Sequence, residues 1–248
     1  MQRRSIFIGW DPREADAFAV ARESMRRNMT IPIPIYGLLL DDLKARGLYT
    51  RPMEMRPSAA DKPVMWDVVS DAPMATQHAC ARFLIRELAR EGWALFVDGD
   101  ILVRGNICRL FDQLDDSKAL YCVQHRHEPD ASVKMDGQMQ TRYARKNWSS
   151  VMAINCDHVA NRALTLDVIN NTPGRDLHRF FWLADCDIGE LGPEWNFLVG
   201  HTQANVDPQI VHFTDGTPSM AGYENQAFAT EWRTALNGWA RGTMGFGW

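Results

Sequence analysis

Apolar residues fall into two textures along this chain. In Ser5-Ile6-Phe7-Ile8-Gly9-Trp10, Ala94-Leu95-Phe96-Val97, Ala119-Leu120-Tyr121-Cys122-Val123, Ser150-Val151-Met152-Ala153-Ile154-Asn155 and Ile210-Val211-His212-Phe213 they run almost without interruption. Such runs read as strands buried on both faces. Elsewhere apolar positions recur at helical spacing. Phe18, Ala21 and Met25 share one face, as do Ala79, Phe83, Leu84 and Leu88, and a short helix is marked by Ile107, Leu110, Phe111 and Leu114. Further helices are expected over 158–170 and about 223–236. Asp11-Pro12 reads as an N-cap with proline at the first helical position, and Pro73 as the start of a helix that Gly92 ends. Ile31 to Tyr36 alternates and holds two prolines, which suits an edge strand. The stretch 41–73, with prolines at 52, 57, 63 and 73, predicts a long irregular crossing or lid, and the polar stretch 124–147 a surface excursion. Strands alternating with helices predict an α/β sandwich on a mostly parallel central sheet flanked by helices. We expect one domain over 1–248, with 238–248 a flexible tail.

Composition narrows the classes. The chain has 248 residues, 46% hydrophobic and 23% charged, so a sizeable core is available. A net charge of −4 with no long basic run argues against a nucleic-acid surface. The five cysteines (Cys80, Cys108, Cys122, Cys156, Cys186) are odd in number and not spaced as a zinc site, so reduced thiols and a cytoplasmic location are expected. The apolar stretch after Met1-Gln2-Arg3-Arg4 stops at Asp11-Pro12-Arg13, too short for a signal peptide. Membrane contact through Trp239, Phe246 and Trp248 is weakly supported, because the tail has one arginine and no periodic apolar face.

The densest candidate chemistry is Asp98-Gly99-Asp100, placed where an apolar run ends. Alternate residues of an extended chain point the same way, so both carboxylates can converge on one point and hold Mn²⁺ or Mg²⁺ together with a substrate phosphate. Gly99 leaves room for something to approach the backbone. The rival reading is a β-hairpin, for which Asp-Gly between apolar runs is also a strong signal. Ligands of open α/β sheets gather at the carboxyl ends of strands. Asp11, Asp98 and His212 all fall at or just beyond predicted strand ends. Bland readings stand beside these: His212 between Val211 and Phe213 as a half-buried core residue, Arg82 as a solvated cation, Asp185 as a helix cap, and His125-Arg126-His127 as pocket lining or surface.

Four blocks in order resemble glycosyltransferase family eight and its bacterial relatives, with the Rossmann-like GT-A fold. They are Ala81-Arg82-Phe83-Leu84-Ile85-Arg86-Glu87-Leu88, Phe96 to Asn106 around Asp98-Gly99-Asp100, Ser149 to Asn155, and His212-Phe213-Thr214, and the match spans about residues 5–236. The resemblance implies a retaining, Mn²⁺-dependent transferase that moves a sugar from a nucleotide diphosphate, usually UDP, to a glycan or other acceptor hydroxyl. It implies metal ligation by Asp98, Asp100 and His212, with Asp11 facing the base and Arg82 reaching donor sugar or diphosphate. Ser149 and Ser150 would line the donor pocket with Gly99 and Gly216. Asp185 would bind donor-sugar hydroxyls beside the reacting carbon, and Cys186 stands where many members carry a glutamine at the reaction face. Thr217-Pro218-Ser219 occupies the place of a family Lys-Pro-Trp, so Lys134 or Arg142 would have to supply the missing diphosphate cation. Two rivals remain open: a nucleotidyltransferase on a related sheet, which would want a glycine- and lysine-rich loop that Gly9 to Arg13 does not offer, and a non-catalytic sugar-nucleotide or glycan binder.

Overall fold

The computed structural model describes residues 3–57, 63–125, 148–203 and 205–243. Along the chain run β1 (Arg4–Gly9), α1 (Ala15–Arg27), β2 (Ile35–Leu38), α2 (Leu40–Ala45), β3 (Met53–Arg56), β4 (Val64–Asp67) and β5 (Ala72–Pro73). They are followed by α3 (Ile85–Ala89), β6 (Trp93–Val97), β7 (Ile101–Val103), α4 (Cys108–Phe111), β8 (Leu120–Val123) and β9 (Val151–Asn155). The last are α5 (Leu166–Asn171), α6 (Gly174–His178), β10 (Ile188–Leu191), β11 (Phe197–Leu198), β12 (Ile210–His212) and α7 (Ala229–Thr243).

The main sheet has six strands in the order β10-β8-β9-β6-β1-β2, all parallel except β9. Its uninterrupted apolar strands follow from burial on both faces. Phe7, Ala94, Phe96, Cys122 and Met152 point into one core, while Ile6, Ile8, Leu95, Val97 and Ala153 point into the other. Every residue of β6 is buried, and each large side chain so placed contributes about 1.5–3 kcal/mol. A second sheet, β11-β12-β7, pairs β12 antiparallel to β7 and packs Leu102, Val211 and Phe213 against Trp232 of α7. A third, β3-β4-β5, is antiparallel.

Several expectations change. The stretch 41–73 is not an irregular crossing: it holds α2 and the β3-β4-β5 sheet. Pro73 does not open a helix. It pairs with Trp66 in β5, an edge position where the missing N–H costs nothing, and the helical run begins with a 3-10 turn at Ala81–Leu84 before α3. The helix expected over 158–170 is divided into a 3-10 turn at Val159–Ala163 and α5, which Thr165 caps with its hydroxyl. Positions 238–243, expected in a tail, belong to α7, and the Trp239 ring packs under the Arg22 guanidinium at 5.3 Å. Phe246 and Trp248 lie outside the described residues.

Candidate functional site

The Asp98-Gly99-Asp100 turn is not a hairpin. The strands on either side of it belong to different sheets, β6 to the large one and β7 to the small one. Asp98 N–H donates to Ser150 O at 2.9 Å, which pins the turn to the start of β9. Gly99 faces the end of β1, where a Cβ would stand 2.6 Å from the Gly9 carbonyl oxygen. The close approach is therefore by this chain's own backbone. Asp100 O accepts from Phe213 N at 3.0 Å, and the antiparallel register sets His212 opposite Ile101. The pairing of β7 with β12 thus brings a residue late in the chain beside the acidic pair. One ligand atom each from Asp98, Asp100 and His212 lies within 4.8 Å of the others.

Asp98 is held from two sides. Arg82 Nη2 lies 2.8 Å from Oδ1 and His78 Nε2 3.1 Å from the same oxygen. His212 Nε2 lies 4.0 Å from Asp98 Oδ2 and 3.2 Å from Asp100 Oδ1. Burial alone would push the Asp98 carboxyl up, but the Arg82 charge, His78 and His212 outweigh it and hold the carboxyl well below the usual carboxylate range. The balance for His212 runs the other way: burial pushes it down, and the Asp100 and Asp98 carboxylates carry it above the ordinary histidine value. Two partly buried carboxylates and one buried imidazole are thus packed together, an arrangement that a cation would relieve.

The other expected residues divide. Arg82 is buried; it donates to Ala79 O and Ser149 O and stacks on Phe96 at 4.7 Å, so its guanidinium is spent on orienting Asp98 and the Ser149 backbone. Asp11 is also buried, and caps the turn at Pro12–Glu14. Arg13 holds both its oxygens and Gln77 N–H donates to Oδ2 at 3.0 Å. Burial pushes this carboxyl up, yet the Arg13 and Gln77 hydrogen bonds bring it down to about 2. Ser149 shares a 2.7 Å hydrogen bond with His178 Nδ1, and Ser150 Oγ accepts from Asn196 Nδ2 at 2.8 Å, so both serines wall the site. Gly216 is buried under the Tyr223 ring, three residues past Phe213. Lys134 and Arg142 lie outside the described residues.

Asp185 and Cys186 are not brought to this cluster. They precede β10, which runs parallel to β8 with Ile188 opposite Leu120. Lys118 Nζ donates to Cys186 O at 2.7 Å, and Ala119 N donates to Asp187 O. Both residues are exposed at the amino-end edge of the sheet, whereas Asp98 and Asp100 follow the carboxyl end of β6. The expectation that they flank the reacting carbon is corrected on that ground.

Sequence reasoning missed His78, Asn196 and Glu14. Glu14 lies beside Asp11 and feels Asp100; burial, then the charges of Asp100 and Asp11, push its carboxyl up to about 7. Each is a single polar residue without periodicity or partner motif. The available signal was position alone: Glu14 two residues after the Asp11-Pro12 cap, His78 just ahead of the Ala81–Leu84 turn, and Asn196 directly before β11.

Among known proteins, the chain is 38% identical over 233 residues to Protein CDI of Arabidopsis thaliana, covering 92% of this chain and 83% of that one. It belongs to the Protein CDI family. No family model matches it. Solved structures resembling this CDI relative are glycosyltransferases of the GT-A fold. An active-site mutant of LgtC superposes with a TM-score of 0.57 at 13% identity, covering 94% of this chain and 95% of that one. GlyE of Streptococcus pneumoniae TIGR4 gives 0.55 at 15%, covering 98% and 64%. The bifunctional WbbM gives 0.56 at 12%, covering 94% of this chain, which spans about half (52%) of that one. At these identities the likeness establishes the fold: a GT-A α/β sheet. No described helix is long and apolar enough to cross a membrane.

A cavity of about 420 Å³ lies elsewhere, between α1, β7 and α7. Its polar walls are occupied, with Asn28 donating to Val103 O and Arg104 pairing with Asp207 and Glu231.

Proposed function

We propose that this protein is a divalent-metal-dependent glycosyltransferase. In this reading it moves a sugar from a nucleotide diphosphate, UDP-linked, to the hydroxyl of a glycan or other acceptor, with retention of anomeric configuration. One observation carries it: Asp98, Asp100 and His212 converge beyond the carboxyl end of β6, on a sheet of GT-A type. The donor set fits the metal. Two carboxylates suit a hard cation, and one imidazole nitrogen favours Mn²⁺ over Mg²⁺. When bound, such a cation supplies Lewis-acid stabilisation of the charge that grows on the departing diphosphate.

The chain's own groups prepare that place. Arg82 and His78 keep Asp98 ionised and fixed in direction. Ser149 and Ser150 form the wall next to it, with the Ser149 carbonyl tied to Arg82. Lys134 or Arg142, in the 124–147 segment, is assigned the diphosphate countercharge. The acceptor attacks the face that the diphosphate leaves, and a leaving phosphate oxygen takes the acceptor proton, so no protein nucleophile is required. A cytoplasmic location belongs to the same reading, since all five cysteines are free and four are buried.

The test is a panel of nucleotide sugars incubated with and without Mn²⁺. Mn²⁺-dependent release of nucleoside diphosphate, greatest with UDP-sugars, is the expected result. Release of pyrophosphate would mean nucleotidyl transfer instead. Binding without product would mean a sugar-nucleotide binder, and no binding under either condition would overturn the reading altogether.

A further inference from the structure

Asn196 is fully buried, in the turn Pro193–Asn196 that leads into β11. Its carboxamide is spoken for at both ends. Nδ2 donates to Ser150 Oγ at 2.8 Å, and Oδ1 faces His212 Nδ1 at 2.9 Å. A carboxamide oxygen only accepts, so the hydrogen between them sits on His212 Nδ1. In the neutral ring the lone pair is then on Nε2. Nε2 is the nitrogen turned to Asp100 and Asp98.

We propose that Asn196 is a positioning residue that fixes His212 as the Nδ1–H tautomer and so presents the Nε2 lone pair to a divalent cation held with Asp98 and Asp100. This deepens the reading above and rests on it for the cation, but the tautomer assignment stands on the hydrogen bonds alone. The fixation has an opponent. With no cation present, the Asp100 carboxylate 3.2 Å from Nε2 favours a proton on that nitrogen. A buried acceptor at Nδ1 counters this, and because Asn196 is 0% exposed no bulk water can take its place. The anchor is shared with the acidic turn: Ser150, which receives the Asn196 amide, also accepts the Asp98 N–H through its carbonyl. One serine thus sets the direction of two of the three proposed ligands. Parallel pairing of β11 with β12, Leu198 opposite His212, brings Asn196 to the ring.

Outer partners of this kind are worth about 10–100-fold in metal affinity. The test compares Asn196→Leu, which keeps size and removes the acceptor, with Asn196→Asp, which keeps an acceptor at Nδ1. Free Mn²⁺ is followed by electron paramagnetic resonance during titration. The ring nitrogens of His212 are read separately by ¹⁵N NMR of metal-free protein at alkaline pH, where the ring is neutral. Expected are a loss of roughly 10–100-fold in Mn²⁺ affinity for the leucine variant, substantial recovery in the aspartate variant, and an Nδ1–H signature in the wild type that is lost in the leucine variant. A merely structural asparagine would lower the melting temperature of both variants and leave the tautomer unmoved, which overturns the proposal. So does an Nε2–H signature in the wild type, or a leucine variant that binds Mn²⁺ normally. Wild-type protein with the Nδ1–H signature but no Mn²⁺ affinity would overturn the metal-dependent function, and with it Asn196's service to a cation, while leaving the tautomer assignment intact.

Discussion

Among the described residues two arginine–aspartate pairs are built on a buried guanidinium, and they end differently. Arg51 and Asp67 are closed on all sides. Arg51 donates to both Asp67 oxygens, to Ser70 Oγ and to the Ile169 and Thr172 carbonyls, and the two side chains are 0% and 2% exposed. Ser70 extends the ring by donating to Asp67 and accepting from Gly174 N. This pair staples the β3-β4-β5 sheet to α5 and α6. Arg82 and Asp98 are built of the same groups, and Arg82 Nη1 also reaches Oδ2, at 3.4 Å, yet that oxygen lies 4.0 Å from His212 Nε2 in the cluster formed with Asp100. The first pair is closed by neighbouring carbonyls and a hydroxyl, whereas the second opens onto a further carboxylate and an imidazole. Residue type does not distinguish a staple from a candidate site; what the paired carboxylate faces does.

Arg51→Met should have the largest effect. It leaves Asp67 buried and unpaired, and unfolding free energy measured with denaturant should fall by about 3–5 kcal/mol. Mn²⁺ affinity of the folded fraction should stay as it was; a matching loss of Mn²⁺ affinity would show that the staple is part of the site. Next, Asp100→Asn should reduce Mn²⁺ affinity by calorimetry more than about a hundredfold, because it removes a direct ligand where even outer partners count 10–100-fold. Its melting temperature should hardly move, since Asp100 is only partly buried and closes no ring of hydrogen bonds. Unchanged calorimetric binding would sink the site.

The smallest effect concerns Glu14, whose carboxyl is raised from 4.5 to about 7 by burial, then by Asp100 and Asp11. A group raised in the folded state favours folding below its unfolded value and loses that advantage as pH climbs through the folded one. Ionised Glu14 therefore costs stability above pH 7 and none below 4.5. Glu14→Gln should raise the melting temperature by roughly a few degrees above neutrality and leave it unchanged in acid. A gain that does not vary with pH would show that the carboxylate is not crowded by its acidic neighbours.

The strands carrying the site were legible because burial on both faces leaves uninterrupted apolar runs, as in β1, β6, β8, β9 and β12. Asp98, Asp100 and His212 were legible as strand-end residues, though whether the acidic pair reversed the chain depended on which sheets it joined. Asp185 and Cys186 were misplaced because β10, with Gly189 and Glu190 inside it, has no apolar run to announce which way it enters the sheet. Pro73 misled because a proline at a helix start and one at a strand edge look alike until pairing is known. Asn196 and His78 left no trace, since their partners are 16 and 20 residues away in the chain and nothing periodic leads to them.

The Asp98-Gly99-Asp100 turn passes from one hydrogen-bonded sheet to the next. A cation seated among Asp98, Asp100 and His212 would grip the rims of both and act as a rivet across the seam. Loading it should then be felt beyond the pocket, as slower amide-proton exchange along β7 and β12, strands already tied to the larger sheet by the Asn196–Ser150 hydrogen bond and by Ile101, Val103 and Ile210 in the shared core.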